Sequence, residues 1–173
     1  DMKQGSPEWF AERRGKVTAS RVGDMLAKTK SGWGASRHNL MGELIAERLT
    51  GKSTEKFTNA AMQWGSDTEA DARAAYQFEK AVLVAEAGFV PHPTIEMAGA
   101  SPDGYVGIDG LIECKCPLTS NHIETLLGQA VPSKYIWQIQ MQLACTRRQW
   151  CDFVSFDPRL PESMSLFIHR VPR

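Results

Sequence analysis

Hydrophobic residues recur along this chain with two periods, and the change from one to the other divides it. Up to about residue 78 the spacing is helical. Ser6-Pro7 has the form of a helix N-cap followed by proline at the first helical position, and it opens a short helix through Trp9 and Phe10 that Gly15 ends. Thr18 or Ser20 offers a cap for a second helix, Arg21 to Ala27. The segment Lys28-Thr29-Lys30-Ser31-Gly32-Trp33-Gly34 then reads as a basic, flexible loop. Met41, Leu44, Ile45 and Leu49 repeat at helical spacing and predict a third helix, stopped by Gly51. A longer helix is expected from about Asn59 to Phe78, with Trp64, Ala72, Ala75 and Tyr76 buried and Glu69 in its middle.

From Val82 the pattern shortens to strand-like runs broken by Gly and Pro: Val82–Glu86, Phe89–Val90, Thr94–Met97, Gly104–Val106 and Leu111–Cys116. Helices return over Asn121–Leu127 and Lys134–Cys145, and two final strands are expected at Trp150–Phe156 and Ser165–Val171. No internal repeat interrupts this order. It predicts one α/β domain over residues 1–173, with a mixed central β-sheet flanked by helices.

Composition narrows the class. With 42% hydrophobic and 23% charged residues, the chain has the make-up of a globular protein rather than a disordered one. No run of about 18 apolar residues encodes a membrane span. The stretch from Asp1 to Pro7 lacks the basic-then-apolar form of a secretion signal, so a cytoplasmic protein is expected. Cys114, Cys116, Cys145 and Cys151 have the spacing neither of a secreted disulfide framework nor of a C-x₂-C metal knuckle, and are read as buried thiols. His38, His92, His122 and His169 fit no ligand pattern and are read as surface or structural residues.

The net charge is zero, but it is unevenly placed. Residues 1–56 carry eleven Lys/Arg against seven Asp/Glu, residues 57–110 two against eight, and residues 111–173 seven against five. A bound divalent cation is the simplest reason for an acidic middle to approach a polyanion.

The chemistry concentrates in the run from Ser101 to Cys116. Ile108-Asp109-Gly110 is a turn signal between two strand-like runs, so a hairpin brings Asp103 back beside Glu113. Glu113 and Lys115 are two residues apart on one strand, share a face, and stand roughly 7 Å apart along it. Ile112, Cys114 and Cys116 take the opposite, apolar face. That arrangement suits an active site at a sheet edge. Two carboxylates of this kind can hold Mg²⁺, with a lysine beside them to meet a phosphate or its attacking water. Taken alone, D-x₉-E-x-K is a loose pattern that a solvated hairpin can imitate.

Its setting is more specific. Pro102-Asp103-Gly104 followed by Ile112-Glu113-Cys114-Lys115 resembles the signature of the PD-(D/E)xK nuclease superfamily. Trp9-Phe10-Ala11-Glu12-Arg13-Arg14-Gly15-Lys16-Val17-Thr18-Ala19-Ser20 resembles the opening motif of the YqaJ-like viral recombinases, the family of phage lambda exonuclease. The run from Trp64 to Arg73 resembles that family's W-G-x-x-x-E-x-x-A-R helix. Ser101–Gly104, Leu111–Pro117 and Tyr135-x₂-Gln138-x-Gln140 follow in family order.

The resemblance implies a restriction-endonuclease-like core and a Mg²⁺-dependent 5′→3′ exonuclease on double-stranded DNA, with Mn²⁺ able to substitute. Asp103 and Glu113 would be metal ligands together with the backbone carbonyl of Cys114. Lys115 would be the catalytic lysine, and Glu69 a third acidic group reaching the metal or its water. Arg13 and Ser20 match positions that grip the phosphate at a recessed 5′ end, with Arg14 the ambiguous neighbour of Arg13. Ser101 and Gln138 match positions lining the active site.

The implied partners are duplex DNA ends, a single-strand-annealing protein that receives the 3′ overhang, and two further copies in a ring-shaped homotrimer. The place of work is the host-cell cytoplasm if the protein is phage-encoded. Family members often carry a further C-terminal helix, whereas the stretch after Arg170 is short. The competing classes are a PD-(D/E)xK endonuclease and a non-catalytic DNA-binding relative.

Overall fold

Residues 3–54 and 58–173 are described by a computed structural model. Asp1 and Met2, part of the N-terminal stretch read above for a secretion signal, lie outside them. The chain forms two compact units, each assembled from separated segments: residues up to 54 with Ala87–Pro102 and Ser133–Arg147, and residues 58–86 with Asp103–Pro132 and Arg148–Arg173.

The first unit begins with helix α1 (Pro7–Arg13), where the Ser6 hydroxyl accepts a hydrogen bond from the Trp9 N–H at 3.2 Å, as the Ser-Pro signal predicts. Strand β1 (Val17–Thr18), a 3₁₀ turn (Ala19–Arg21) and the single helical turn α2 (Val22–Met25) follow. Neither Thr18 nor Arg21 caps these turns with its side chain, so the expected Arg21–Ala27 helix shrinks to one turn.

The basic loop is in fact a hairpin, β2 (Lys28–Thr29) with β3 (Gly32–Trp33). Its order comes from cations on an aromatic face, because Lys28 and Arg37 both lie over the Trp33 ring. Helix α3 (Ala35–Thr50) ends at Gly51 in the left-handed conformation, as expected. Its apolar row does not point inward, however. Met41, Ile45 and Leu49 are exposed, and Leu40 is the residue it buries. Period identifies a face without saying what covers it.

The unit's small sheet places β6 (Ala98–Ala100) between β1, parallel, and β5 (Val90–Pro91), antiparallel. The expected strand at Thr94–Met97 is instead a turn, because His92 Nδ1 accepts from the N–H groups of Thr94 and Ile95. The true strand, Ala-Gly-Ala, has no apolar alternation to betray it. Helix α6 (Ile136–Thr146) closes the unit, with Cys145 and Met141 packed against Ala19, Ala100 and Val90.

The second unit is built on a five-stranded mixed sheet. Its elements in chain order are α4 (Ala60–Lys80), β4 (Val84–Ala85), β7 (Gly104–Val106), β8 (Gly110–Lys115), α5 (Thr119–Gly128), β9 (Trp150–Phe156), the turn α7 (Glu162–Ser165) and β10 (Leu166–Pro172). The strands lie in the order β10-β9-β8-β7-β4, with β8 and β9 parallel and the other pairs antiparallel.

Helix α4 lays Ala72 and Tyr76 on one face of the sheet, against Ile112, Cys114, Val154 and Phe156. Tyr76 donates to the buried Asp152 at 2.8 Å, and Arg170 completes that carboxylate's bonding with two N–H groups. All four cysteines are free and buried. Burial pushes the Cys116 thiol up to about 12 and the Cys145 thiol to about 11, which keeps both protonated. Among the described residues no helix is long and apolar enough to cross a membrane.

Candidate active site

The turn after β7 works as its sequence predicts. The hairpin register sets Gly104 opposite Ile112 and Val106 opposite Gly110, which brings Asp103 alongside Glu113. Asp103 is fixed there by its own carboxylate, whose Oδ2 accepts the Cys114 backbone N–H at 2.7 Å. Gly104 is required by close approach. A Cβ there would collide with the Val84 side chain and stand 3.0 Å from the Ala85 carbonyl oxygen.

Lys115 Nζ lies 2.5 Å from Glu113 Oε1, so the two share a face as strand alternation demands. The expected sheet edge is not where they sit. Strand β8 is the middle strand of five, and Glu113 is only 1% exposed while Lys115 keeps an opening to solvent. Both faces of β8 are covered, so Glu113 is set into the unit, while Asp103 and Lys115 are half-buried.

Glu69 comes from the middle of α4, where Arg73 holds its Oε1 at 2.9 Å. It adds to the field at Asp103. Withdrawal from water pushes the Asp103 carboxyl well above the usual carboxylate range, and the charges of Glu113 and Glu69 push it further. Lys115 and the Cys114 N–H oppose this without reversing it.

An Asp103 carboxyl raised by burial and by two neighbouring carboxylate charges marks a donor set short of positive charge. Their hard oxygens suit a small divalent cation. Among the described residues no three His, Cys, Asp or Glu side chains converge closely enough to hold a metal unaided. A cation here would therefore rest on Asp103 and Glu113, with backbone oxygen or water completing its shell.

The remaining candidates all belong to the other unit. Arg13 Nη1 donates to Ser101 Oγ at 2.7 Å, and Trp9 Nε1 donates to the same oxygen at 3.0 Å. Ser101, expected to line the active site, is thus bonded into the Arg13 group. The Arg13 guanidinium also lies 4.1 Å over the Trp9 ring. Burial lowers its pKa to about 10 while Glu47 works against the shift, so it stays charged at neutral pH.

Arg14, the ambiguous neighbour, ends α1 and does not share this bond. Ser20 lies exposed on the 3₁₀ turn, 3.3 Å from Thr18 Oγ1. Gln138 is half-buried on α6, the helix packed on that turn. Trp9 and Glu47 also contribute to this group. Trp9 had a legible signal, since it stands four residues before Arg13 on one helix face. Glu47 had none.

A mixed α/β sheet with Asp at one strand's start and Glu-x-Lys on the next defines a class, the restriction-endonuclease-like proteins. The family model for the YqaJ-like viral recombinase domain matches residues 8–149, and the chain belongs to that family. The alkaline exonuclease LHK-Exo from Laribacter hongkongensis is 54% identical, with a TM-score of 0.90 over 97% of this chain and 82% of its own. LHK-Exo in complex with dAMP gives a TM-score of 0.91 at the same identity, covering 97% and 83%. A phage-related exonuclease from Haemophilus somnus shares the fold alone, at 16% identity and a TM-score of 0.71 over 91% and 84% of the two chains. An uncharacterized protein of Acanthamoeba polyphaga mimivirus is 25% identical over 166 residues, 88% of this chain, and the chain spans 29% of that protein's length.

Proposed function

We propose that the protein is a Mg²⁺-dependent 5′→3′ exonuclease that degrades one strand of duplex DNA and leaves a 3′ single-stranded overhang. The observation that carries this reading is the Asp103–Glu113–Lys115 cluster, with Asp103 bonded to the Cys114 N–H and Lys115 paired to Glu113. Family membership and the likeness to an alkaline exonuclease support it.

Asp103, Glu113 and the Cys114 carbonyl would hold the ion, and Mn²⁺, with similar ligand preferences, should substitute. When bound, such an ion neutralises phosphate charge and makes water more acidic. Lys115 offers its half-exposed ammonium to a phosphate oxygen or to the attacking water, while Glu113 fixes where that ammonium stands. Glu69, bonded to Arg73, would orient the metal's water. Arg13 and Ser20 would take the 5′-terminal phosphate, with Ser101 and Gln138 beside them. Ser101 accepts two N–H donors, which leaves its own O–H proton to give to an anion.

A homotrimer around the duplex would let a chain of zero net charge stay on DNA, because topology replaces part of the phosphate affinity. The exposed row Met41, Ile45, Leu49 supports burial of apolar surface against another chain. A single-strand-annealing protein is the expected recipient of the overhang. The deciding experiment is digestion of linear duplex labelled at its 5′ or 3′ end, with Mg²⁺. Early release of 5′ label, lost in Lys115→Ala, is expected; early release of 3′ label overturns the polarity.

A further inference from the structure

Arg13 is followed by a turn whose apex is gripped from outside. Gly15 has φ +67°, in the region that favours glycine, and the Lys16 N–H closes the turn onto the Arg13 carbonyl at 3.2 Å. Consecutive residues of α3 hold both polar groups of Gly15. Glu47 Oε2 accepts its N–H at 2.7 Å, and Arg48 Nε donates to its carbonyl at 2.9 Å. The other oxygen of Glu47 accepts the Thr54 N–H at 2.9 Å, so this carboxylate also ties down the chain beyond α3. No side chain fits at Gly15, since a Cβ would stand 2.7 Å from Arg48 Cγ. Arg13 and Glu47 also line one cavity of about 240 Å³, with Glu43 and Arg14 in its wall.

We infer that Glu47 is a positioning residue for the 5′-end grip, holding the Arg13–Gly15 turn so that the Arg13 guanidinium meets an anionic group at a fixed place. This rests on the proposed role of Arg13 and deepens it. A carboxylate facing an anion-binding arginine is otherwise a poor choice. Through space alone it weakens anion binding, and removing it should tighten the site. Positioning predicts the opposite sign. Without the clamp, Arg13 must find its place by losing conformational freedom on binding, which costs affinity.

The test uses recessed duplex ends carrying a 5′-phosphate or a 5′-hydroxyl, with Arg13→Ala, Glu47→Ala and Glu47→Gln. Circular dichroism and thermal melts establish that each variant is folded. Glu47→Gln retains one acceptor and one backbone bond, so it reports on the clamp where the alanine variant is too damaging. The expected result is a preference for the 5′-phosphate end, in kcat/KM, that falls about tenfold in Glu47→Ala and less in Glu47→Gln, carried by KM and not kcat. A preference unchanged or increased in folded Glu47 variants overturns the inference, provided Arg13→Ala has abolished it. If Arg13→Ala leaves the preference intact, the 5′-end reading itself fails, and the inference with it.

Discussion

Asp103 is withdrawn from water, repelled by two carboxylates and held by a backbone N–H, and its raised proton affinity records the balance. In an unfolded chain its carboxyl ionises in the ordinary range. In the fold it keeps its proton to higher pH, so the folded state is penalised as pH rises from that range through the raised value. Asp103→Asn removes the penalty and can still accept the Cys114 N–H. The variant should therefore melt above the wild type at neutral to alkaline pH in a chelator. Adding Mg²⁺ should reverse the order, since a ligand that binds only the folded wild type raises its melting temperature. A variant that melts lower in chelator, or gains as much from Mg²⁺, contradicts a repulsive carboxylate cluster built for a cation.

Among the elements, the end of β9 ties several others to the site's strand. Asp157 is fully buried, accepts Thr119 Oγ1 at the start of α5, and is bonded by the Arg159 backbone and guanidinium. Arg159 in turn covers the Trp64 ring of α4 and donates to the Pro117 carbonyl just beyond β8. Burial raises the Asp157 pKa, but the bonds from Arg159 and Thr119 outweigh it and hold it down to about 2, against 3.8 ordinarily.

A lowered carboxylate pKa stabilises the fold above the unfolded value and loses that contribution as pH falls through the folded one. The gap between wild type and Asp157→Asn should be roughly 1–2 kcal/mol at pH 6, allowing for solvent screening at the half-exposed Arg159, and should close between about pH 4 and 2. Urea titrations across that range measure it. A gap that does not vary with pH assigns the cost to packing.

The two kinds of element were unequally legible. The hairpin carrying Asp103 and Glu113 was readable because alternation and turn chemistry are local, and β9 matches its expected bounds, Trp150–Phe156. Strand β6 was not, because Ala-Gly-Ala reads as strand only once β1 and β5 flank it. Glu47 was illegible for the same reason, since its partner Gly15 is 32 positions away.

At the scale of the whole molecule, zero net charge resolves into two opposite halves. Over their sequence segments the unit holding Arg13 has thirteen Lys/Arg against eight Asp/Glu, and the unit holding Asp103 has seven against twelve. Charge excess and candidate chemistry thus divide the same way: the residues proposed to grip phosphate lie on the basic unit, and those proposed to hold a cation on the acidic one. That division distinguishes the two nuclease classes open to this constellation. An endonuclease needs the carboxylates and the lysine but has no use for a pocket that binds a terminal phosphate. An exonuclease needs both, and without an end it should find no productive position for the strand. Linear and covalently closed circular forms of one plasmid, incubated with Mg²⁺ at equal concentration, separate these cases. The linear form should be consumed while the closed circle persists, and one cut by an unrelated restriction enzyme should make the circle a substrate. Salt should slow digestion of the linear form, because release of counterions from phosphate contacts weakens binding as ionic strength rises. Efficient cutting of the intact circle would show that the terminal-phosphate role given to Arg13 and Ser20 is wrong, while leaving the Asp103–Glu113–Lys115 assignment standing.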